Sequence, residues 1–447
     1  MRLLATVLLL GLGTRAYAGS EPLWQGRFTS TAAETEAVLE LTASCEGCDW
    51  AARGREAALL AVALDGRYSS HLVLTRGGAA APYRVLLGRV APGEHEVRVT
   101  FDRPRSARGI AAAAVASGSV RTFDRSAPGF EGLAHAPVFQ ARPGSVERFS
   151  DVPLAAWYET DTTVRGRRLR YSVVFSNEDG GTPPDRLMAT WGRLTDIEYA
   201  YGVELAPDGA VQASEFQGPE HKFMPFDGAR EAAHPVLHVV TDNNMVDVRG
   251  GSAVRFAPVP AAFDLAATSR EAVMDAEPWT YRVSAQEARR EGRVDAHAVP
   301  GSNRLPDPRR FATLEACAPS VDAVIAFEVG VRAGEGVRWH ASDGGRAEFR
   351  VARNATHFPN GCFRAAVALP PGAAASSLAA LRVRAHTRRP REGEAPLPAG
   401  AGRARLTSVN RLFLLDAHDE PGADLLKWTG DAPLAVDGAP FEIPIAR

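Results

Sequence analysis

A polar stretch in the middle of the chain holds most of the side chains that could bind or react. Asn177, Glu178, Asp179 and Asp185 fall in a loop with Gly180-Gly181 and Pro183-Pro184. Oxygen ligands on a tight loop suit a hard cation such as Ca²⁺. An Asx-type turn between strands would use the same residues. Asp196 and Glu198 follow, two positions apart. On a strand such residues share a face, so their carboxylates would repel unless a cation or Arg193 lies between them. A third group runs through Gln217-Gly218-Pro219-Glu220-His221, His234-Pro235-Val236-Leu237-His238 and Asp242-Asn243-Asn244. His234 and His238 would also share a face, but at about 3.3 Å per strand residue they stand roughly 13 Å apart, too far for one metal. His221, in a Gly-Pro loop beside Glu220, is the better ligand.

The resulting candidates are Asp196, Glu198 and His221 as ligands of a divalent cation, Ca or Mg. Glu178, Asp179, Glu215, Asp242, Asn243 and Asn244 are candidate ligand-binding side chains. In a hydrolytic reading the cation activates water, and Glu178, Asp179 or Glu215 acts as general base. No catalytic residue is singled out, because HExxH, GxSxG, a Walker loop and GxGxxG after a strand are all missing.

The elements that must carry these residues read as mainly β. Gly and Pro are frequent and spread along many short alternating segments. Three consecutive β-sandwich-like domains are expected, with a short helical segment after the middle one. The expected divisions are a signal peptide over 1–18, an N-terminal jelly-roll-like sandwich over 19–130, a central β domain with polar loops and a helical tail over 131–306, and a C-terminal sandwich over 307–447. Strands are expected at Leu59 to Leu64, Leu169 to Phe175, Ile197 to Leu205, Val236 to Val240, Val324 to Val329 and Ala347 to Val351. A linker is expected over Gly118 to Gly132. The helix is expected over Ser284 to Gly292, with Ser284 as N-cap, Glu287 at the capping-box position and Gly292 as the stop.

Met1-Arg2, the apolar run Leu3 to Leu12 and Ala16-Tyr17-Ala18 form a Sec-type signal pattern. The expected location is therefore periplasmic or extracellular. No other run approaches eighteen apolar residues, so no transmembrane segment is expected. Lys222 and Lys427 are the sole lysines, which points to a GC-rich bacterial genome. With a net charge of −2 and no basic tract, nucleic acid is not an expected partner. Four cysteines in an exported chain predict two disulfides. Spacing favours Cys45 with Cys48 and Cys317 with Cys362, among three possible pairings. Asp49 and the preceding strand argue against a redox role for the first pair, since a lowered thiol pKa needs a helix N-terminus. Asn354-Ala355-Thr356 matches a glycosylation sequon, which a bacterial origin makes irrelevant.

Residues 135 to 250 carry an Ala-Pro-Val opening, the Arg193-x-x-Asp196-x-Glu198 strand, a loop bearing His221, and His234-Pro235-Val236 before an apolar strand. This order resembles the vacuolar protein sorting-associated family numbered sixty-two. The Asp-x-Glu strand is also similar, more remotely, to that of the necrosis-inducing cytolysins. The resemblance implies that Asp196, Glu198 and His221 hold a divalent cation. Thr195, Ile197 and Asp242-Asn243-Asn244 depart from those patterns, and a toxin function is not implied.

Three functions fit this reading. The first is an exported, non-catalytic binding protein that recognises a glycan or cell-envelope component. Trp50, Trp157, Trp191 and Trp339 are its possible stacking surfaces. The second is a metal-assisted hydrolase of glycan or phosphoester bonds. The third is a purely structural envelope protein whose polar cluster is held by salt bridges.

Overall fold

The computed structural model describes residues 21–299, 301–352 and 360–446. The expected signal peptide and the Asn354 sequon lie outside the described residues. The chain is mainly β and forms six sheets in three facing pairs.

In the N-terminal pair, a four-stranded sheet runs in the order Trp24–Ser30, Gly93–Phe101, Leu59–Leu64, Arg67–Val73. It faces a three-stranded sheet in which Thr35–Ser44 lies between Ala81–Val90 and Ala114–Asp124. Alternation turns one side of each strand inward, and Leu39, Leu41, Leu60, Val62, Val97 and Val99 fill the space between. The first half of the expected linker, from Gly118 to Asp124, is part of a strand paired with Thr35–Ser44, and its end at Gly132 lies in the short helix Phe130–Ala134. The strand's small residues have a packing cause. The Trp24 indole lies across Gly118, and a Cβ there would come within 2.5 Å of the ring.

The central pair contains the six-stranded sheet that carries the polar stretch. Its order is Lys222–Pro225, Val211–Gly218, Asp196–Leu205, Gly166–Phe175, Pro153–Thr163, Ala261–Ala262. A smaller sheet built on Val138–Gln140 and His234–Val239 packs on one face, around Phe139, Phe175, Tyr201 and Leu237. In the C-terminal pair, Phe311–Cys317 sits between Cys362–Ala368 and Arg403–Phe413, and Ala323–Ala333 sits between Gly336–Ala341 and Leu378–Thr387. Leu314, Phe327, Phe363, Leu381 and Leu412 are buried between them. Ala347–Phe349 is a single 3₁₀ turn before the short strand Val351–Ala352 rather than the start of a strand.

Two helices join the pairs. Trp279–Arg290 starts five residues before the expected position, so Ser284 is not its cap. The Ser284 hydroxyl instead donates to the Tyr281 carbonyl inside the helix. Pro278 opens the helix, and Gly292, at φ 71°, follows its end. Pro184–Trp191 falls where the sequence suggests a loop. Its logic is local: Pro184 needs no N–H partner in the first turn, Asp185 lies at the positive end, and Gly192 adopts φ 60° to stop it. A Cβ on Gly192 would meet the Ala365 carbonyl oxygen at 3.1 Å, so glycine lets this helix end close against the C-terminal strand Cys362–Ala368.

Both disulfides join the favoured partners, Cys45 with Cys48 and Cys317 with Cys362. Among the described residues no helix is long and apolar enough to cross a membrane.

Candidate functional site

The polar stretch divides into an ion-pair network, part of which lines a cavity of about 800 Å³ with Arg148, Asp179, Asp242 and Arg293, and a second crevice. The network is organised by Arg142, which the sequence does not single out. Its guanidinium pairs with Asp151, with Asp179 at 2.7 Å and with Asp242 at 2.7 Å. Arg148 and Arg293 also pair with Asp179. Asn243 accepts from the Thr241 hydroxyl at 2.8 Å. Asn244 adopts φ 54° and is fully buried, and its amide donates to the Asn177 carbonyl at 3.0 Å and to Asp196 at 3.1 Å. Asp179, Asp242, Asn243 and Asn244 thus hold the loops of the central sheet together. Burial and the adjacent Asp179 push the Asp151 carboxyl up to about 9. Burial opposes ionisation of Asp179 too, yet the hydrogen bond from Asp151 and the charge of Arg148 hold it at about 2. The pair shares one proton.

Asp196 and Glu198 share a face, as strand geometry requires. Both are buried, and burial raises both pKa values. Glu198, held well above the ordinary carboxyl range by burial and by Asp196, hydrogen-bonds Asp196. Glu178 is pushed up to about 8 by burial and then by Asp196, and its Oε1 accepts from the Thr182 N–H at 3.0 Å. Arg193 lies 3.9 Å from Asp196 and 3.2 Å from Glu271. A proton and two arginines, Arg193 and Arg270, offset the carboxylates here, where a cation had been expected. His221 is elsewhere. It is exposed, in the turn Pro219–His221, where Glu220 and His221 both have positive φ. Among the described residues no group of three His, Cys, Asp or Glu side chains is arranged to hold a metal. Asp196, Glu198 and His221 therefore do not meet the geometric demand of the expected Ca or Mg site.

The second crevice lies between the central sheet and the C-terminal sheets. Its volume is about 980 Å³. The hairpin of Val211–Gly218 and Lys222–Pro225 supplies Gln217 and Phe223, which are direct cross-strand partners. The turn of the same hairpin supplies His221, and the helix Pro184–Trp191 supplies Arg186 and Trp191. The opposite wall comes from Ser320–Val324, from Ala347 to Ala352 and from Thr387 to Arg391.

Phe223 is 46% exposed, and its ring stands 5.4 Å from that of Tyr199, which supports it from beneath. Tyr199 in turn donates to Glu215 at 3.3 Å, so Glu215 props this platform without lining the crevice. Gln217 is only 2% exposed overall, and its side chain lines the crevice. Among the described residues the buried Trp191 Nε1 and Arg186 Nε lack hydrogen-bond partners. The Arg186 guanidinium lies 6.0 Å from the centre of the Trp191 ring. Of the four tryptophans offered by the sequence, Trp50 and Trp157 are core residues. Trp339 is covered by Arg382 at 3.5 Å. Trp191 alone lines this crevice.

No protein-family model matches the chain, and no curated protein matches it. Some solved structures are faintly similar. The sugar-binding C-terminal domain of EclA matches over 22% of this chain and 66% of its own length, at 15% identity and a TM-score of 0.18. A GH2 β-galacturonidase from Eisenbergiella tayi bound to galacturonate matches over 35% of this chain and 22% of its own, at 14% identity and a TM-score of 0.16. The structure of such an enzyme from the same organism bound to glycerol gives 13% identity and 0.15 over the same shares. These likenesses carry no argument about function.

Proposed function

We propose that the protein is an exported, non-catalytic binding protein of the cell envelope or extracellular space. Its ligand is a saccharide held in the crevice between the central and C-terminal sheets. One observation carries this reading: the exposed Phe223 ring and its cross-strand partner Gln217 open together onto the crevice. A sugar presents both chemistries at once, with C–H faces that cover an aromatic ring and hydroxyls that donate to and accept from an amide. Concave sites with apolar walls and a few convergent polar groups are the usual form of small-ligand sites. Of the carboxylates expected to do hydrolysis, Asp196, Glu198, Glu178 and Asp179 lie in the network of the central sheet and Glu215 is tied to Tyr199, and none of them lines the crevice.

Titration of the chain with saccharides, read by intrinsic tryptophan fluorescence, tests this. Binding should perturb the emission of Trp191 at the crevice wall. Phe223→Ala should weaken binding by about tenfold, the loss of a stacking contact of roughly 1–1.5 kcal/mol. Binding that is indifferent to Phe223→Ala and Gln217→Ala would place the ligand elsewhere.

A further inference from the structure

We infer that the saccharide held in this crevice is anionic, carrying a carboxylate or sulfate on the sugar ring. The inference rests on the crevice being the saccharide site and adds the chemistry of its ligand.

Five arginines line the crevice, Arg186, Arg350, Arg388, Arg389 and Arg391, against two carboxylates, Asp322 and Glu348. The carboxylates are already answered. Asp322 accepts from Arg388 at 2.8 Å, and Glu348 pairs with Arg346 and Arg389. Arg350 pairs with Asp343, outside the crevice lining, at 2.8 Å. Arg388 also reaches Glu394. Arg186 and Arg391 remain. Neither forms a close side-chain ion pair among the described residues, although the Arg391 backbone N–H donates to Glu394 at 3.1 Å and, after the Arg388 hydrogen bond, its charge helps hold that carboxyl low; the Arg186 Nε is buried without a hydrogen-bond partner. The lining therefore carries an excess of positive charge beside the Phe223 and Trp191 rings.

Guanidinium groups present a planar fork of donors that matches carboxylate and sulfate oxygens. In a crevice this charge adds to steering as well as affinity. The Phe223 and Trp191 rings would meet the sugar faces, Gln217 the hydroxyls, and Arg186 with Arg391 the acidic substituent. A single-stranded nucleic acid also combines charge with stacking faces. The Gln217 amide, suited to sugar hydroxyls, favours the saccharide, and the oligonucleotide is one arm of the test.

The test compares four probes on the full chain by isothermal titration: oligogalacturonate, a sulfated galactan oligomer, neutral oligogalactose and oligodeoxythymidylate. At least one acidic saccharide should bind about tenfold or more tighter than the neutral one, as expected for a charge-assisted pair. Arg186→Gln and, separately, the exposed Arg391→Gln should erode that preference. The carboxylated and sulfated arms identify which acid is read. Equal affinity for acidic and neutral oligomers, or a preference unchanged in both variants, overturns the inference and leaves saccharide binding standing. Failure of every saccharide overturns both. Tighter binding of the oligonucleotide than of any saccharide assigns the charge to another ligand class and overturns the inference.

Discussion

Gln217 and Phe223 face each other directly across the hairpin of Val211–Gly218 and Lys222–Pro225, so an amide and an aromatic ring open side by side onto one crevice. Register makes this pairing. A slip of one residue would turn both side chains to the opposite face of the sheet. Pro219–His221 holds the register with two consecutive positive φ values at Glu220 and His221. Replacing Glu220 with glycine relieves the left-handed strain there. It should leave saccharide binding intact and raise stability by up to about 1 kcal/mol. Chemical denaturation beside the fluorescence titration checks both outcomes.

The seam between the N-terminal and central sheets depends on Glu36. Its carboxylate is fully buried and lies 2.9 Å from His234 Nε2 and 2.7 Å from Arg89 Nε. Although burial raises its pKa, the hydrogen bonds and charges of His234 and Arg89 bring it below the ordinary value. Glu36→Ala leaves the buried His234 without its carboxylate, while Arg89 keeps Glu34 at 3.8 Å, and should cost about 3 kcal/mol. Denaturant midpoints of wild type and variant measure it. The crevice, on the far side of the central sheet, should keep its ligand under native conditions.

The two disulfides should differ in weight. Cys317 and Cys362 are 45 residues apart, against 3 for Cys45 and Cys48. By loop entropy the longer closure contributes about 4 kcal/mol. Cys317→Ser with Cys362→Ser should therefore lower stability well beyond Cys45→Ser with Cys48→Ser. Urea unfolding of the two double variants gives the comparison directly.

Stability should fall as pH rises from about 4.5 toward 9. Burial pushes Glu287 to about 7, Glu178 to about 8 and Asp151 to about 9. The folded state holds these protons while the unfolded state releases them near the ordinary carboxyl values. The unfolded chain therefore binds fewer protons across that window, and the unfolding free energy declines with pH. The stabilising contribution is full below the ordinary values and gone above the folded ones. Asp179, held at about 2, acts in the opposite sense, and its contribution is lost as pH falls below 4 toward 2. Denaturation at pH 5 and pH 8.5 should show the decline, and Glu178→Gln should flatten it.

Much of the scaffold was legible because side-chain alternation is local. Leu59–Leu64 and Asp196–Leu205 lie close to where their apolar patterns place them. The same holds for the shared face of Asp196 and Glu198. What lies between elements was not legible. The helix Pro184–Trp191 is short and opens with Pro183-Pro184, which also reads as loop chemistry. Arg142 and Asp179 are 37 residues apart in sequence and in contact in space, so the acids read as open ligands while the fold uses them as ties. The expected cation ligands are separated for the same reason: two carboxylates lie in the buried network, and His221 is on an exposed turn. The crevice draws on residues from 186 to 391, and no local pattern joins them. A tight Pro219–His221 turn between Gln217 and Phe223 was the one signal that could have set them opposite each other in a hairpin.

The central claim, a saccharide seated on Trp191 and Phe223, is tested most directly by a glycan array probed with the wild-type chain and with Trp191→Ala/Phe223→Ala. Thermal melting of both proteins serves as the folding control. The account predicts that wild type binds a chemically coherent subset of glycans, and that the folded double variant loses that signal by about tenfold or more. A wild-type chain that binds no glycan, or a double variant that binds the same set equally well, would contradict it.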